Sequence, residues 1–246
     1  MNNLFLSFFI TTIAGLSTLL GTIIIFIKDK NQNKIISNSL IFSASIMLYI
    51  SILDLIPTAV SLIKGEYSTF IEMIYIYGSI MLGMIVMFAI SKKIDNENNL
   101  YKVGIISIIA LILHNIPEGI ITFLTTQKNQ KMGIKIAFAI ALHNIPEGIS
   151  ISIPIYYSTK NKIKAFKYTL ISGFSELIGA IIAFLFLRDL VNDMFFTFIY
   201  SITAGIMIYI SFNELIPESL KRNKSNIKWL YFLFGIIIMF ISELII

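Results

Sequence analysis

Cysteine is absent from this chain of 246 residues. Disulfides and thiolate ligands are excluded, so any metal or catalytic centre must be built from nitrogen and oxygen groups. Charge is scarce as well: Asp, Glu, Lys and Arg make up 13% of the residues, against 57% hydrophobic. A soluble domain of this length needs far more polar surface, and the composition points to a polytopic membrane protein. There is no glycine-rich phosphate loop, so ATP could act only through a partner subunit. The net charge of +5 does not signal nucleic acid, because the lysines lie in short gaps between apolar runs, which is a topology pattern. Histidine occurs twice and proline five times, so their positions carry information.

A bilayer core needs roughly 20 apolar residues per helix. Runs of that size at about 3–27, 36–63, 70–91, 103–126, 133–157, 164–187, 194–220 and 227–246 predict eight transmembrane helices in one all-α domain over 1–246. Strands are disfavoured, because an open sheet cannot satisfy its backbone in lipid and these runs are too long for barrel strands. The first run has no basic leader and no small-residue cleavage site before Lys28, so it reads as a retained span. Fourteen basic residues fall in loops one, three, five and seven, including Lys28, Lys30 and Lys34 in the first. Loops two, four and six, with their margins, hold five: Lys64, Lys128, Lys131, Lys135 and Arg188. The bias predicts odd loops in the cytoplasm, both termini outside, and a multi-pass protein of the cell membrane.

Two repeats stand out. LHNIPEGI occurs at 113–120 and again at 142–149, and the two copies hold both histidines. SASIMLYISILDLIPTAV (43–60) aligns without gaps on TAGIMIYISFNELIPESL (203–220), with nine of eighteen positions identical. Shared Ile and Leu would mean little in a membrane chain, but matching Tyr49/Tyr209, Ser51/Ser211 and Pro57/Pro217 favour common descent. Helices two and seven cross in opposite directions, as do four and five. The pattern predicts three helices, a central pair, then three helices, related by inversion, a design common among transporters.

Both LHNIPEGI copies fall near the middle of their spans. A charged side chain there costs on the order of 2.5–3.5 kcal/mol on insertion scales, so groups without a purpose are disfavoured. Within each copy His and Glu are four apart and Asn and Glu three apart, which puts all three on one helix face. His114, Asn115 and Glu118 form one trio, and His143, Asn144 and Glu147 the other. Pro117 and Pro146 lack an amide hydrogen, leaving the carbonyls of Leu113 and Leu142 free to face water or a cation. Imidazole and carboxylate donors from two facing helices suit zinc. The added amide and carboxylate oxygens would also suit iron(II) or manganese(II), and a glutamate bridging two ions is compatible with so many donors. A third helix carries SGFSELIGA (172–180), which places Glu176 centrally and lets the helix approach closely at Gly173, Gly179 and Ala180. The competing reading is that these polar groups only tie helices together; two duplicated trios plus a third carboxylate weigh against it.

HNIPEG at 114–119 and 143–148, SGFSELIGA at 172–180 and YISFNELIP at 209–217 resemble the ZIP family of divalent-metal transporters, most of all its bacterial zinc-uptake members. The resemblance spans all eight predicted helices. It implies uptake of zinc into the cytoplasm, with tolerance for iron, manganese, cobalt and cadmium, through two neighbouring metal sites. Carried over by position, one site uses His114, Glu118, His143 and Glu147. The other uses Asn115, Glu118, Asn144, Glu147 and Glu176. The chain departs from many relatives in its short third loop, KKIDNENNLYK, which lacks histidine, and in carrying Asp54 and Asn213–Glu214 at helix ends.

Asp54 reads either as an entrance-side attractor for cations or as an ordinary interfacial acid, and Glu214 either as an exit-side relay or as the same. Metal binds deprotonated Glu and neutral His, so transport is expected to fall in acid. An intramembrane zinc hydrolase would want HExxH or a third histidine, and neither is present. A proton or sodium carrier would have no use for the duplicated His and Asn. No prosthetic group is expected. The expected partners are divalent cations and the bilayer, with a homodimer as the candidate assembly. Phe5, Met73 and Phe195 read as lipid-facing or packing groups, and Met47 as a weak candidate for a soft ligand.

Overall fold

The computed structural model describes residues 3–27, 31–94, 98–187 and 192–245. Among these the chain is helical throughout. Helix α1 runs as an α-helix over Asn3–Leu16 and tightens to a 3-10 helix over Ser17–Phe26. Helix α2 covers Gln32–Tyr49, a π-helical stretch Ile50–Leu55 and a last α-helical piece Ile56–Ile63. Then follow α3 (Thr69–Lys93), α4 (Asn99–Lys128) and α5 (Gln130–Thr159). Helix α6 covers Lys162–Ile182 and ends in a π-helical turn, Ala183–Leu187. Helix α7 covers Asp193–Ile210, a π-helical Ser211–Leu215 and Ile216–Arg222, and α8 covers Lys228–Ile245. Seven of these are long and apolar enough to cross a membrane. The eighth, α8, has 18 residues, or about 27 Å of helix. Lys28, Lys30 and Arg188, used above for orientation, lie outside the described residues.

The helices begin earlier than the apolar runs because asparagines cap them. Asn31, Asn98, Asn129, Asn161 and Asn192 precede α2, α4, α5, α6 and α7, and each side-chain oxygen accepts a hydrogen bond from a backbone N–H of the first turn. Such a cap contributes about 1 kcal/mol. Asn129 alone joins α4 to α5, so the two LHNIPEGI helices form a tight antiparallel hairpin. Both run unbroken through their prolines.

Helix α6 lies along α4, α1 packs on α5 and α6, α7 pairs with α3, and α2 packs between α5 and α8. The apolar core fills the space among α2, α4, α5 and α7, with Ile46, Met47, Leu111, Ile151 and Ile210 inaccessible. Phe70, Met81 and Phe88 on α3, and Leu230 and Phe240 on α8, are exposed on the outside of the bundle, where a bilayer would meet them. Phe5 and Met73 are exposed in the same way, and Phe195 packs beside α4 and α6.

The glycine of each HNIPEG copy marks a close backbone approach. A Cβ on Gly119 would collide with the Glu176 carbonyl of α6, and one on Gly148 with the Thr18 carbonyl of α1. Gly173 and Gly179 make the reciprocal approaches from α6, to Gly15 and Ile116, and Ala180 is fully buried. The aligned segments of α2 and α7 also share a local distortion. In each the backbone slips to π pairing, with the N–H of Ile56 donating to the Ser51 carbonyl and that of Ile216 to the Ser211 carbonyl. Pro57 and Pro217 follow at once; having no N–H, they cannot restore the α-helical register.

Candidate metal centre

The two trios meet across the hairpin. His114 Nε2 lies 3.0 Å from Glu147 Oε1, and His143 Nε2 lies 3.3 Å from Glu118 Oε1. Each histidine therefore faces the glutamate of the other helix. Helical spacing put His and Glu on one face; the antiparallel pairing exchanges their partners. His114, Asn115, Asn144, Glu147 and Glu176 are completely buried, and Glu118 and His143 nearly so.

The asparagines are held by their amide nitrogens. Asn144 Nδ2 donates to the Ala14 carbonyl at 2.8 Å and also to Glu176 Oε1, while Asn115 Nδ2 donates to the Ser172 carbonyl at 3.3 Å. These acceptors fix which way each amide points, since an oxygen turned toward them would be repelled. Both Oδ1 atoms are left without a hydrogen-bond partner, and Glu176 Oε2 is in the same condition. Every one of the seven residues, His114, Asn115, Glu118, His143, Asn144, Glu147 and Glu176, keeps a buried nitrogen or oxygen without a hydrogen bond. Buried polar atoms in folded proteins rarely lack partners. Among the described residues, no three His, Asp or Glu side chains are closed around a common point as a finished cage. The ring–carboxylate pairs face each other instead, so a cation would have to come between them.

A cavity of about 460 Å³ leads from this centre to the end of the bundle that carries the α4–α5 turn. Glu118 and His143 line its inner part, and Asp54, Lys135 and Glu243 lie further out. Gln127 and Gln130, beside the α4–α5 turn, donate hydrogen bonds to Ser7 and Asn3 of α1, which puts the N-terminal helix start at the same end. At the other end α2 and α7 are clasped, Ser37 Oγ donating to the Ser219 carbonyl and Ser219 Oγ to the Ser37 carbonyl.

The family described as ZIP Zinc transporter matches residues 91–243, the stretch that holds all seven residues. The zinc transporter ZupT of Oceanobacillus iheyensis is 37% identical over 268 residues, covering 100% of this chain and 99% of its own length. Those of Clostridium perfringens (34%, covering 100% and 97%) and Streptococcus mutans (35%, covering 99% and 98%) are similar along the whole chain as well. The chain belongs to the ZIP family. Membership places it among membrane transporters rather than enzymes, as the absence of HExxH had suggested.

Around the ZIP helices the two proposed gate residues part company. Asp54 lines the cavity, and its Oδ1 accepts from Thr58 Oγ1 at 3.4 Å. Glu214 sits near the clasped end, half-buried, where Ser91 Oγ donates to it at 2.6 Å. Asn213, the departure beside it, turns its amide to the Tyr209 carbonyl of its own helix. Met47 is enclosed in the apolar core and does not line the cavity. Sequence reasoning passed over Glu243, which lines the cavity and accepts a 2.6 Å hydrogen bond from Tyr49. The signal was present as a carboxylate inside the last apolar run, FISELII. In the sequence Tyr49 stands out only as a repeat marker and Thr203 only as the first residue of the aligned segment, while Tyr200, also on the cavity wall, has no sequence signal.

Proposed function

We propose that this chain carries zinc across the cell membrane into the cytoplasm through two neighbouring sites between α4 and α5, completed by α6. One site consists of His114, Glu118, His143 and Glu147. The other uses Asn115, Asn144 and Glu176 with the same two glutamates as bridges. The observation that carries this reading is that all seven buried side chains keep a nitrogen or oxygen without a hydrogen bond, and such an atom would gain a bond from a cation. Iron(II) and manganese(II) are further cargoes, because amide and carboxylate oxygens outnumber the nitrogens; cobalt(II) and cadmium(II) are added on the family resemblance alone.

In this proposal the cavity mouth with Asp54 is the outer entrance and Glu214 lies on the exit side. Both termini are outside, and α1–α3 relate to α6–α8 by inversion about the central hairpin. The shared π-helical slip of α2 and α7 supports the inversion. The proton or sodium carrier is disfavoured, since neither would engage the oriented asparagine oxygens together with two imidazoles.

Uptake of radioactive zinc into proteoliposomes tests the assignment. Glu147→Ala and His143→Ala should each lower uptake at least about tenfold, since removing groups that merely orient ligands already costs roughly 10–100-fold. Full flux in either variant removes the site. Competition by unlabelled iron(II) and manganese(II) should slow zinc uptake if they share it.

A further inference from the structure

A second cavity, of about 600 Å³, lies at the clasped end of the bundle between α1, α2, α5 and α8. It shares no residue with the metal centre. Its outward wall includes Ile27 and Phe234, both more than half exposed at the bundle surface, so it opens sideways toward lipid. Phe42 and Phe234 stack across it with ring centres 5.9 Å apart.

Three residues of α2 on this wall lie four apart: Lys34, Asn38 and Phe42. That spacing puts them on one face, each about 5–6 Å further along the axis than the last. From the helix start inward the stripe runs cationic, amide, aromatic. Lys34 is exposed at the rim, and its flexible stem lets the ammonium reach a phosphate at headgroup depth. Asn38 is only 7% exposed, yet its Oδ1 has no hydrogen-bond partner. An amide oxygen withdrawn from water without a donor is unfavourable, and a hydroxyl or ammonium group in the groove would satisfy it.

We propose that this groove binds one phosphatidylglycerol molecule from the bilayer. Its phosphate pairs with Lys34; from that phosphate the headgroup glycerol folds inward so that a hydroxyl donates to Asn38 Oδ1, while the acylated glycerol descends beside it and lays a chain along Phe42 and Phe234. Each lipid part meets the chemistry it needs: negative charge at the lysine, a donor at the orphaned oxygen, and hydrocarbon against the aromatic rings. A choline headgroup offers no donor and no net charge. The groove would thereby couple the α1–α5 side of the bundle to the α2–α8 side through a lipid.

Native mass spectrometry of the purified full-length chain, titrated with phosphatidylglycerol or phosphatidylcholine, tests the proposal independently of zinc. One phosphatidylglycerol per chain should be retained in preference to phosphatidylcholine. Lys34→Gln should weaken that retention about fivefold, the worth of one juxtamembrane cation, and Asn38→Leu about fivefold through its lost hydrogen bond. Lys92→Gln, a charge change on α3, should leave retention unaltered. Lys34 is exposed, so its variant keeps the test standing if Asn38→Leu fails to fold. Equal retention of both lipids, or unchanged phosphatidylglycerol retention in both groove variants, would mean annular lipid only and overturns the proposal.

Discussion

His114 and His143 are each matched to a carboxylate on the neighbouring helix, although each has a glutamate four residues along its own. The crossed arrangement decides what single substitutions should do. Removing Glu147 leaves His114 fully buried without the carboxylate it faces, and breaking one member of a buried pair typically costs about 3–5 kcal/mol. Double-mutant cycles on thermal unfolding in detergent should therefore give His114 and Glu147 a coupling of about 0.5–3 kcal/mol. His114 and Glu118, on one helix, should couple less. The reverse order would contradict the crossed pairs. Tyr49→Phe should cost about 1 kcal/mol, the net worth of an ordinary hydrogen bond, because Glu243 loses the hydroxyl that donates to it.

Each HNIPEG copy ends on a glycine, and at the level of the elements that glycine matters as much as the candidate ligands. Gly119 and Gly148 let α6 and α1 lay backbone against backbone on the central hairpin. Glu176 is carried by the very residue whose carbonyl touches Gly119, so this contact sets how far its carboxylate reaches into the site. Gly148→Ala adds one methyl where the Thr18 carbonyl already stands, and overpacking of this kind costs about 1–3 kcal/mol. A lowered melting temperature is the expected result. An unchanged melting curve would mean that α1 yields freely. The π-helical turns of α2 and α7 belong to the same scale: a proline immediately after the slip prevents its repair, in both helices.

For the molecule as a whole, the lack of cysteine becomes an experimental advantage, because a single introduced thiol is the only one present. Ala139 lines the cavity, whereas Ile106 is inaccessible in the core. In intact cells an impermeant maleimide should label Ala139→Cys and spare Ile106→Cys, with zinc slowing the reaction. Labelling of Ala139→Cys only after the cells are opened would reverse the proposed orientation. The exposed apolar faces of α3 and α8 belong to this scale too, and lipid or a second copy of the chain would cover them.

Much of the fold and most of the candidate site were legible in the residues themselves. Long apolar runs permit little but helices in lipid, and LHNIPEGI advertised its candidate ligands because buried His, Asn and Glu are costly in a membrane. The helices start up to four residues before their apolar runs, as at Gln32 and Asn99, since apolar content alone does not reveal the asparagine caps. Glu243 was missed because a lone carboxylate near a chain end has no periodic partner to reveal it. The exchange of histidine partners, the cavity shared by Asp54, Lys135 and Glu243, and the groove beside Asn38 depended on tertiary structure. Those features are distances between helices, and along one strand of sequence nothing measures them: spacing sets which side chains share a face, and packing alone sets which faces meet.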